Sequence, residues 1–336
     1  MSITIKDVAA AAKVSTATVS HVLNGTRFVS RETKDRVLTT IKEMGYVPSV
    51  SASGLRSRKS KRIGLLVPSI SSIFSVDILD AVEQVLKENG YQVVLGCSHE
   101  KLEIEKEQID NFNFQQIDGL LMFPAPGDHS YLEHMSRQYP IVFIDRMADN
   151  CQRDMFLGNN EQATYMVISQ MIEEGHRNIG VINGTEGVSA LEERVQGYRR
   201  ALEDHGIPFE SEFVRKGNST KQGGYEAAEY FVQDKRVTAI LSLSPTMTVG
   251  CLTFLTRCGA RIPEEIALVS YGDSEWAEIT NPPLTTMRHP LFDMGQMAAR
   301  KLLERMEESD RQEEERNIAP YRTVRLPMEL IRRKSY

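Results

Sequence analysis

Five small or polar side chains recur on one face of a predicted helix near the start of the 336-residue chain. They are Thr16, Ala17, Ser20, His21 and Asn24, and their spacing places them on the same side of a short helix. A hydroxyl can bond to a base or a phosphate, a methyl group can contact a thymine methyl, and an imidazole can donate to guanine N7 or O6. The face therefore has the chemistry of a surface that reads DNA.

Three short helices are predicted to position this face, each after a residue whose side-chain oxygen can cap it. Two short helices joined by a turn form a helix-turn-helix, whose second helix enters the major groove. The alternative is a small three-helix bundle with no role on DNA. The helices are predicted at residues 5–12, 16–23 and 31–44, with Thr4, Ser15 and Ser30 as caps.

Charge is distributed unevenly along the chain. Residues 1–62 carry 12 Lys and Arg against 4 Asp and Glu, a net charge of +8, and the other 274 residues carry 28 against 42, a net charge of −14. A basic head on an acidic body favours a polyanionic partner for the head. A basic surface that is merely solvated is the alternative that charge alone leaves open.

The composition is that of a globular protein, with 41% hydrophobic and 26% charged residues. The sequence has no run of about 18 apolar residues and no secretory signal at its start. Its four cysteines include no Cys-x-x-Cys pair, so we expect them to be reduced. We therefore expect a cytoplasmic protein with no membrane span.

Residues 47–62 form a serine-rich segment with five basic residues and no acidic one. Such a composition favours a flexible linker between head and body. A helix over residues 49–56 is the alternative, although a helix so short is not stable alone.

The body alternates short apolar runs with helix-length amphipathic segments. Repeated strand–helix units predict an α/β fold of parallel sheets covered by helices. Because 274 residues exceed one small sheet, two lobes are expected. The predicted strands are residues 63–67, 91–95, 119–123, 141–144, 179–182, 239–243 and 267–271.

Phe74, Arg146, Arg194 and Asp273 each follow a predicted strand. Ligands of open α/β sheets bind beyond the carboxyl ends of the strands. An aromatic face with two arginines and a carboxylate suits a polar ring such as a sugar or a nucleobase. A structural pair or a surface position is the alternative for each of the four residues.

Four ordered stretches of the head carry a resemblance to a known family: Thr4-Ile-Lys-Asp-Val-Ala, Val14-Ser-Thr-Ala-Thr-Val-Ser-His-Val, Val29-Ser-Arg-Glu-Thr and Gly45-Tyr-Val-Pro. They resemble the headpiece of the lactose-repressor (LacI/GalR) family of transcription regulators, especially its purine-repressor branch. The resemblance implies that the second helix reads bases, although many members have Arg at the position of His21. The residues expected at the DNA are Thr4, Ser15, Thr16, Ala17, Thr18, Ser20, His21, Asn24 and Arg27 in the head and Ala52, Leu55 and Arg56 in the hinge.

In this family the hinge folds on DNA and a leucine wedges into the minor groove, which kinks the duplex. Leu55 matches that leucine, and Ala52 matches the alanine three residues before it. Ser49, Ser53 and Gly54 depart from the family pattern, and Gly54 disfavours a helix.

The resemblance continues through the body, for example at Val142-Phe-Ile-Asp-Arg and Gly175-His-Arg-Asn-Ile. It implies a two-lobed core like a periplasmic sugar-binding protein, with a small-molecule effector between the lobes. It also implies a homodimer, whose two heads read a near-palindromic double-stranded operator. The expected domains are a head at 1–46, a hinge at 47–62 and a core at 63–336, with an N-lobe at 63–160 and 291–322 and a C-lobe at 161–290 and 323–336.

The predicted cleft departs from the family at four positions. Pro245 and Gly272 stand where many members have an aspartate, and Val188 and Ser219 stand where the purine-repressor branch contacts its ligand. The ligand therefore stays open between an unusual sugar, a phosphorylated metabolite and a partner protein, or none at all.

The sequence favours a dimeric, ligand-controlled DNA-binding regulator, most simply a repressor. A soluble small-molecule receptor is the alternative, although it leaves the basic head unexplained. An enzyme on the same fold would need a catalytic motif, and the sequence has no phosphate-binding loop, no nucleophile elbow and no metal-ligand spacing among its histidines. No cofactor or metal is predicted.

Overall fold

The computed structural model describes residues 3–24, 27–46, 59–70, 73–135, 138–233, 236–311 and 319–336. The chain divides into two compact units, Met1–Ser60 and Lys61–Tyr336. No helix within these ranges is both long and apolar enough to cross a membrane.

The first unit contains the three predicted helices, α1 (Ile5–Ala11), α2 (Thr16–Asn24) and α3 (Arg31–Met44). The bounds of α3 are those predicted. It ends at Gly45, whose φ of 63° lies in the left-handed region where a residue with a side chain would be strained. Local capping and helical periodicity therefore fix all three elements.

Packing of the head depends on a few valines that point between the helices. Val8, Val19 and Val37 are completely buried. The guanidinium of Arg36 on α3 also donates from Nε to the carbonyl oxygen of Ala12 at 3.0 Å. This bond holds the turn between α1 and α2 against α3.

Hinge residues 47–58 lie outside the described part of the chain. The expectations for Ala52, Leu55 and Arg56 therefore stay predictions.

The first lobe of the body is a six-stranded sheet in which every neighbouring pair is parallel. Its strands are β1 (Arg62–Val67), β2 (Gln92–Cys97), β3 (Gly119–Met122), β4 (Ile141–Ile144), β5 (Asp154–Gly158) and β11 (Thr323–Leu326), in the order β11-β5-β4-β3-β1-β2. Its helices are α4 (Ile73–Glu88), α5 (Leu102–Phe114), α6 (Leu132–Met135) and α12 (Leu291–Arg311).

The second lobe repeats this plan, except that its last strand is antiparallel to its neighbour. Its strands are β6 (Ile179–Asn183), β7 (Val214–Lys216), β8 (Ala239–Ser242), β9 (Ala267–Tyr271), β10 (Thr285–Arg288) and β12 (Glu329–Ile331), in the order β12-β10-β9-β8-β6-β7. Its helices are α7 (Asn160–Glu173), α8 (Ser189–Asp204), α9 (Lys221–Gln233), α10 (Pro245–Cys258) and α11 (Trp276–Ile279). The predicted α/β architecture of two parallel sheets is confirmed.

The chain crosses between the lobes three times: after β5, between β10 and α12, and between β11 and β12. The prediction that residues 323–336 all belong to the second lobe is wrong, because β11 pairs with β5 in the first sheet. Only two residues separate β11 from β12, so no change of composition marks this crossing in the sequence.

The three crossings pack against one another through Gly158, His289 and Met328, one residue from each. A Cβ atom on Gly158 would lie 2.6 Å from Cε1 of His289 and would also collide with the end of Met328. The close approach of the crossings therefore requires a glycine at this position.

A buried ion pair anchors α12 to the sheet of the first lobe. Arg305 donates from Nε to Asp154 at 2.7 Å, and their side chains are only 6% and 1% exposed. Arg305 also donates to the carbonyl oxygens of Ala319 and Pro320, while the backbone N–H of Arg322 donates to Asp154. The pair therefore fixes the approach of the chain to β11.

We expect Asp154→Ala to lower the free energy of unfolding of the body by about 3 kcal/mol, because it leaves the buried guanidinium of Arg305 with Glu308 as its remaining acidic partner and removes the acceptor of the Arg322 N–H. Glu304→Ala is the matched control on α12, because Glu304 is exposed and its ion pair with Lys301 contributes about 0.5 kcal/mol or less. Chemical denaturation of the two variants measures the difference. Equal losses of unfolding free energy in the two variants would show that the buried ion pair stabilises the body no more than the exposed one.

Candidate functional site

The predicted DNA-reading face is present on α2. Thr16 and Ala17 are exposed at its start, and Ser20 and His21 are half-buried one turn later. Asn24 is the last residue of α2. The arrangement places a hydroxyl, a methyl group and an imidazole together on the N-terminal part of the second helix.

Two predicted DNA residues also cap the helices that carry this face. The hydroxyl of Ser15 accepts a hydrogen bond from the backbone N–H of Thr18 at 3.0 Å, which closes the first turn of α2. The N–H and hydroxyl of Thr4 donate to the Asp7 carboxylate at 2.8 and 2.7 Å. These bonds lower the pKa of Asp7 and hold the start of α1.

Positive charge surrounds the face within the head. Arg27, in the loop that follows α2, is exposed, as are six other cations among the described residues of the head. Such a surface suits the phosphates of a nucleic acid. The exposed cations are Lys6, Lys13, Arg27, Arg31, Lys34, Arg36 and Lys42.

A cleft of about 560 Å³ lies between the two lobes of the body. Phe74, Arg146 and Arg194 line it, so three of the four predicted effector residues are brought together. They come from α4, from the end of β4 and from α8. Other lining residues include Ser75, Glu100, Lys101, Asp145, Thr185, Val188, Leu191, Asn218, Ser219, Leu243 and Pro245.

Arg146 is held by acids of its own lobe. Its guanidinium contacts the carboxylate of Glu100 twice, at 2.5 and 2.8 Å, and Asp145 lies 3.9 Å away. Although burial alone would lower it, the pKa of Arg146 is raised by Glu100 and Asp145. The positive charge of Arg146 is therefore already balanced within the protein.

Arg194 is buried, and its guanidinium is satisfied by neutral groups. It donates to Oδ1 of Asn160 at 2.8 Å, to the carbonyl oxygen of Leu243 at 2.7 Å and to Nε2 of His289 at 3.2 Å. Its guanidinium also stacks on the ring of Tyr271, 4.1 Å from the ring centre. Burial lowers the pKa of Arg194 from its usual value.

Asp273 does not line the cleft, contrary to the sequence-based expectation. Its carboxylate accepts hydrogen bonds from Thr286, Arg288 and Arg333 at 2.6–2.7 Å, and its side chain is 7% exposed. Although burial alone would raise it, these bonds lower the pKa of Asp273. Asp273 therefore joins β10 to the end of the chain instead of facing a ligand.

Sequence reasoning missed Asp145, which lines the cleft, and His289, which is buried against the lining residues Phe74 and Arg194. Asp145 could have been found, because it directly follows an apolar strand. In the structure it adopts a φ of 64°, which is uncommon outside glycine. His289 follows β10, whose sequence Thr-Thr-Met-Arg carries no clear strand pattern. The nitrogen Nε2 of His289 lies 3.6 Å from Oδ1 of Asp145.

Three of the family departures line the cleft, namely Val188, Ser219 and Pro245. Gly272 lies beside Pro245 and has a φ of 85°. A Cβ atom there would lie 2.5 Å from Cγ of Pro245, so a side chain at this position would require a shift of α10.

Family models match both parts of the chain. Residues 4–49 match the bacterial regulatory proteins of the lacI family, and residues 168–336 match a periplasmic binding protein-like domain. The first match covers α1 to α3, and the second covers most of the second lobe.

Named relatives are similar over nearly the whole chain. The ribose operon repressor of Haemophilus influenzae is 32% identical over 304 residues, which cover 90% of this chain and 92% of that protein. The HTH-type transcriptional repressor PurR of Vibrio atlanticus is 33% identical and covers 91% of this chain and 93% of its own length.

Solved structures of transcription regulators are also similar to this chain over its whole length. A transcriptional regulator CelR–cellobiose complex has a TM-score of 0.72 at 29% identity, covering 99% of this chain and all of that one. The lac repressor bound to ONPG in its repressed state has a TM-score of 0.85 at 25% identity, covering all of both chains.

We expect the imidazole of His289 to titrate near pH 4, because burial lowers its pKa to about 4 and the nearby Arg194 opposes protonation, although Asp145 favours it. The unfolded chain takes up this proton near pH 6.5. The contribution of His289 to the free energy of unfolding should therefore be fully present above pH 6.5. It should be lost as the pH falls towards 4, which lowers the free energy of unfolding by about 3 kcal/mol. NMR titration of the imidazole measures the pKa directly.

His289→Gln should remove this part of the pH dependence of unfolding. Denaturation at pH 7 and pH 4.5, with and without the substitution, separates it from the effect of the carboxylates. A titration of His289 near pH 6.5 would contradict the prediction.

Proposed function

This chain belongs to the lacI family of bacterial regulatory proteins, and we propose from that premise that it is a transcription repressor. It binds an operator as a homodimer, and a small molecule in the interlobe cleft sets its affinity for DNA. We assign it no catalytic role, because its relatives are named as repressors. We assign it to the cytoplasm, where bacterial DNA lies.

The exposed N-terminal part of α2 is the observation that carries this proposal. Thr16 and Ala17 are exposed there on a basic unit, and His21 lies one turn further along. A recognition helix presents its first residues to the base edges of the major groove. We propose that these three side chains read bases, while Thr4, Ser15, Thr18 and Arg27 contact the backbone.

A ligand in the interlobe cleft controls the affinity of the protein for DNA. A ligand changes the affinity for DNA only as far as it prefers one arrangement of the core over another. Because residues of both lobes line the cleft, a ligand there contacts both sides at once. Its binding therefore depends on the distance between the lobes.

We infer that the ligand is neutral and carries hydroxyl groups around a ring with an apolar C–H face, as a sugar does. Arg146 is paired with Glu100, and Arg194 is satisfied by protein acceptors, so neither arginine offers a free charge to a phosphate. Among the described residues that line the cleft, Lys101 is the other lysine or arginine, and it is exposed to solvent. In the described part of the chain, three buried polar atoms of the cleft have no hydrogen-bond partner. They are Oγ of Ser75, Oδ1 of Asp145 and Nε of Arg146.

These three atoms can bond to ligand hydroxyl groups, which both donate and accept. The carboxylate oxygen of Asp145 would repel an anion. Phe74, Leu191 and Pro245 give the apolar contact for the face of a ring.

Selection of binding sites from random duplex DNA by the full-length chain tests the regulator proposal. We expect a two-fold symmetric site of roughly 14–20 base pairs, with half-sites about one helical turn apart. His21→Ala should lose preference at one position per half-site, roughly 5- to 150-fold, because one base contact is removed. His205→Ala in the second lobe is the matched control and should select the same site.

Failure of the wild-type chain to enrich any site, alone and with a metabolite extract, would reject the proposal. Enrichment of one identical site by the wild type and by His21→Ala would instead reject only the role of His21.

The ligand class is tested with a panel of D-ribose, cellobiose, D-ribose 5-phosphate and adenine. Isothermal titration calorimetry measures binding directly, and the fluorescence of the single tryptophan, Trp276, which packs partly buried against the core of the second lobe, is a second readout. We expect a neutral sugar to bind and its phosphorylated form not to bind. A response to D-ribose 5-phosphate but not to D-ribose would contradict the inference.

Phe74→Ala should weaken sugar binding roughly ten- to hundredfold, because the apolar contact of one ring face is lost. Val76→Ala, on the same helix but 55% exposed, is the control and should bind the sugar as the wild type does.

A further inference from the structure

His289 touches the residues that form the inner wall of the cleft. Its side chain is completely buried. Its ring packs edge-on against Phe74 with 5.4 Å between ring centres, and its Nε2 lies 3.2 Å from Arg194 and 3.6 Å from Asp145. Phe74 and Asp145 belong to the first lobe and Arg194 to the second, so one imidazole contacts both walls.

The same ring lies at the centre of the three crossings. His289 itself belongs to the second crossing, and it packs where Gly158 of the first and Met328 of the third come together. Arg194 adds a further link, because it bonds both to His289 and to Asn160, which follows the first crossing. Any rotation of one lobe against the other must move these segments past the imidazole.

We propose that His289 is the positioning residue that sets the angle between the lobes and transmits changes in the cleft wall to the three crossings. A side chain that moves in the cleft, such as Phe74 or Arg194, moves the ring of His289. Because interior side chains are close-packed, the ring then displaces Gly158 and Met328. The lobe angle and the arrangement of the cleft are thereby coupled through one residue.

The contact with Arg194 defines what a replacement must supply. The guanidinium can only donate, so Nε2 of His289 accepts the hydrogen bond and the neutral ring carries its proton on Nδ1. The amide oxygen of glutamine can also accept this bond. Alanine cannot, and it leaves a cavity among the crossings.

The lobe angle is measurable without a ligand, by pulsed electron paramagnetic resonance on the full-length chain. Spin labels introduced at Glu103 and Lys221 without cysteine chemistry report the distance across the cleft, because both residues are exposed and lie close to lining residues of opposite lobes. Mixing with unlabelled protein suppresses distances between subunits. We expect a narrow distribution in the wild type and in His289→Gln, and a broader, displaced one in His289→Ala.

Met306→Ala is the matched control, because Met306 is buried on α12 within the core of the first lobe. It should lower the melting temperature without changing the distance distribution. An unchanged distribution in His289→Ala, or equal broadening in Met306→Ala, would overturn the proposal. If His289→Ala does not fold, Arg194→Lys decides instead: it keeps the charge, but its single ammonium group lacks the planar fork of donors that reaches Asn160, Leu243 and His289 at once. We expect the same broadening, and a wild-type distribution would overturn the proposal.

Operator affinity gives a second readout, which rests on the proposed function. We expect His289→Ala to change the dissociation constant for the selected operator by roughly two- to thirtyfold, while His289→Gln and Met306→Ala stay within about twofold of the wild type. Equal affinities in all four proteins would contradict transmission to the head. If the wild type binds no operator, the proposed function fails, and the distance measurements still decide the role of His289.

Discussion

The guanidinium of Arg194 is the interaction on which the body depends. It is buried, and within the described part of the chain it forms no ion pair, so the groups in contact with its charge are an amide, a carbonyl, an imidazole and the face of Tyr271. A buried charge without such partners costs several kcal/mol. The segments that supply the partners must therefore meet at one point, which brings the ends of the strands in the second lobe to the crossings between the lobes.

Local signals explain what the sequence could predict. The head follows from capping residues and helical periodicity, and strands such as β4 and β9 appear as apolar runs because both of their faces are covered. Five strands were missed, namely β5, β7, β10, β11 and β12. Each depends on pairing with a distant segment, and apart from the three apolar residues 155–157 of β5 none of them carries an apolar run of its own.

The same contrast holds within the cleft. Phe74, Arg146 and Arg194 could be placed there because they follow strands, and the ends of parallel strands share one edge. Asp273 follows a strand too, but the partners that draw it away, Arg288 and Arg333, lie 15 and 60 residues further along. No local pattern announces such long-range hydrogen bonds. The opposite net charges of head and body were visible in the sequence, and they confine attraction for a polyanion to the head.

The third crossing has a consequence for how the protein is made. Chains fold from the N-terminus as they leave the ribosome. The first lobe lacks both α12 and β11 until residue 326 has emerged, by which time almost all of the second lobe has been synthesised. The nascent first lobe therefore exposes, through most of translation, the apolar faces that α12 later covers. The residues of α12 that finally cover them are Leu291, Met294, Ala298, Ala299, Leu302 and Met306.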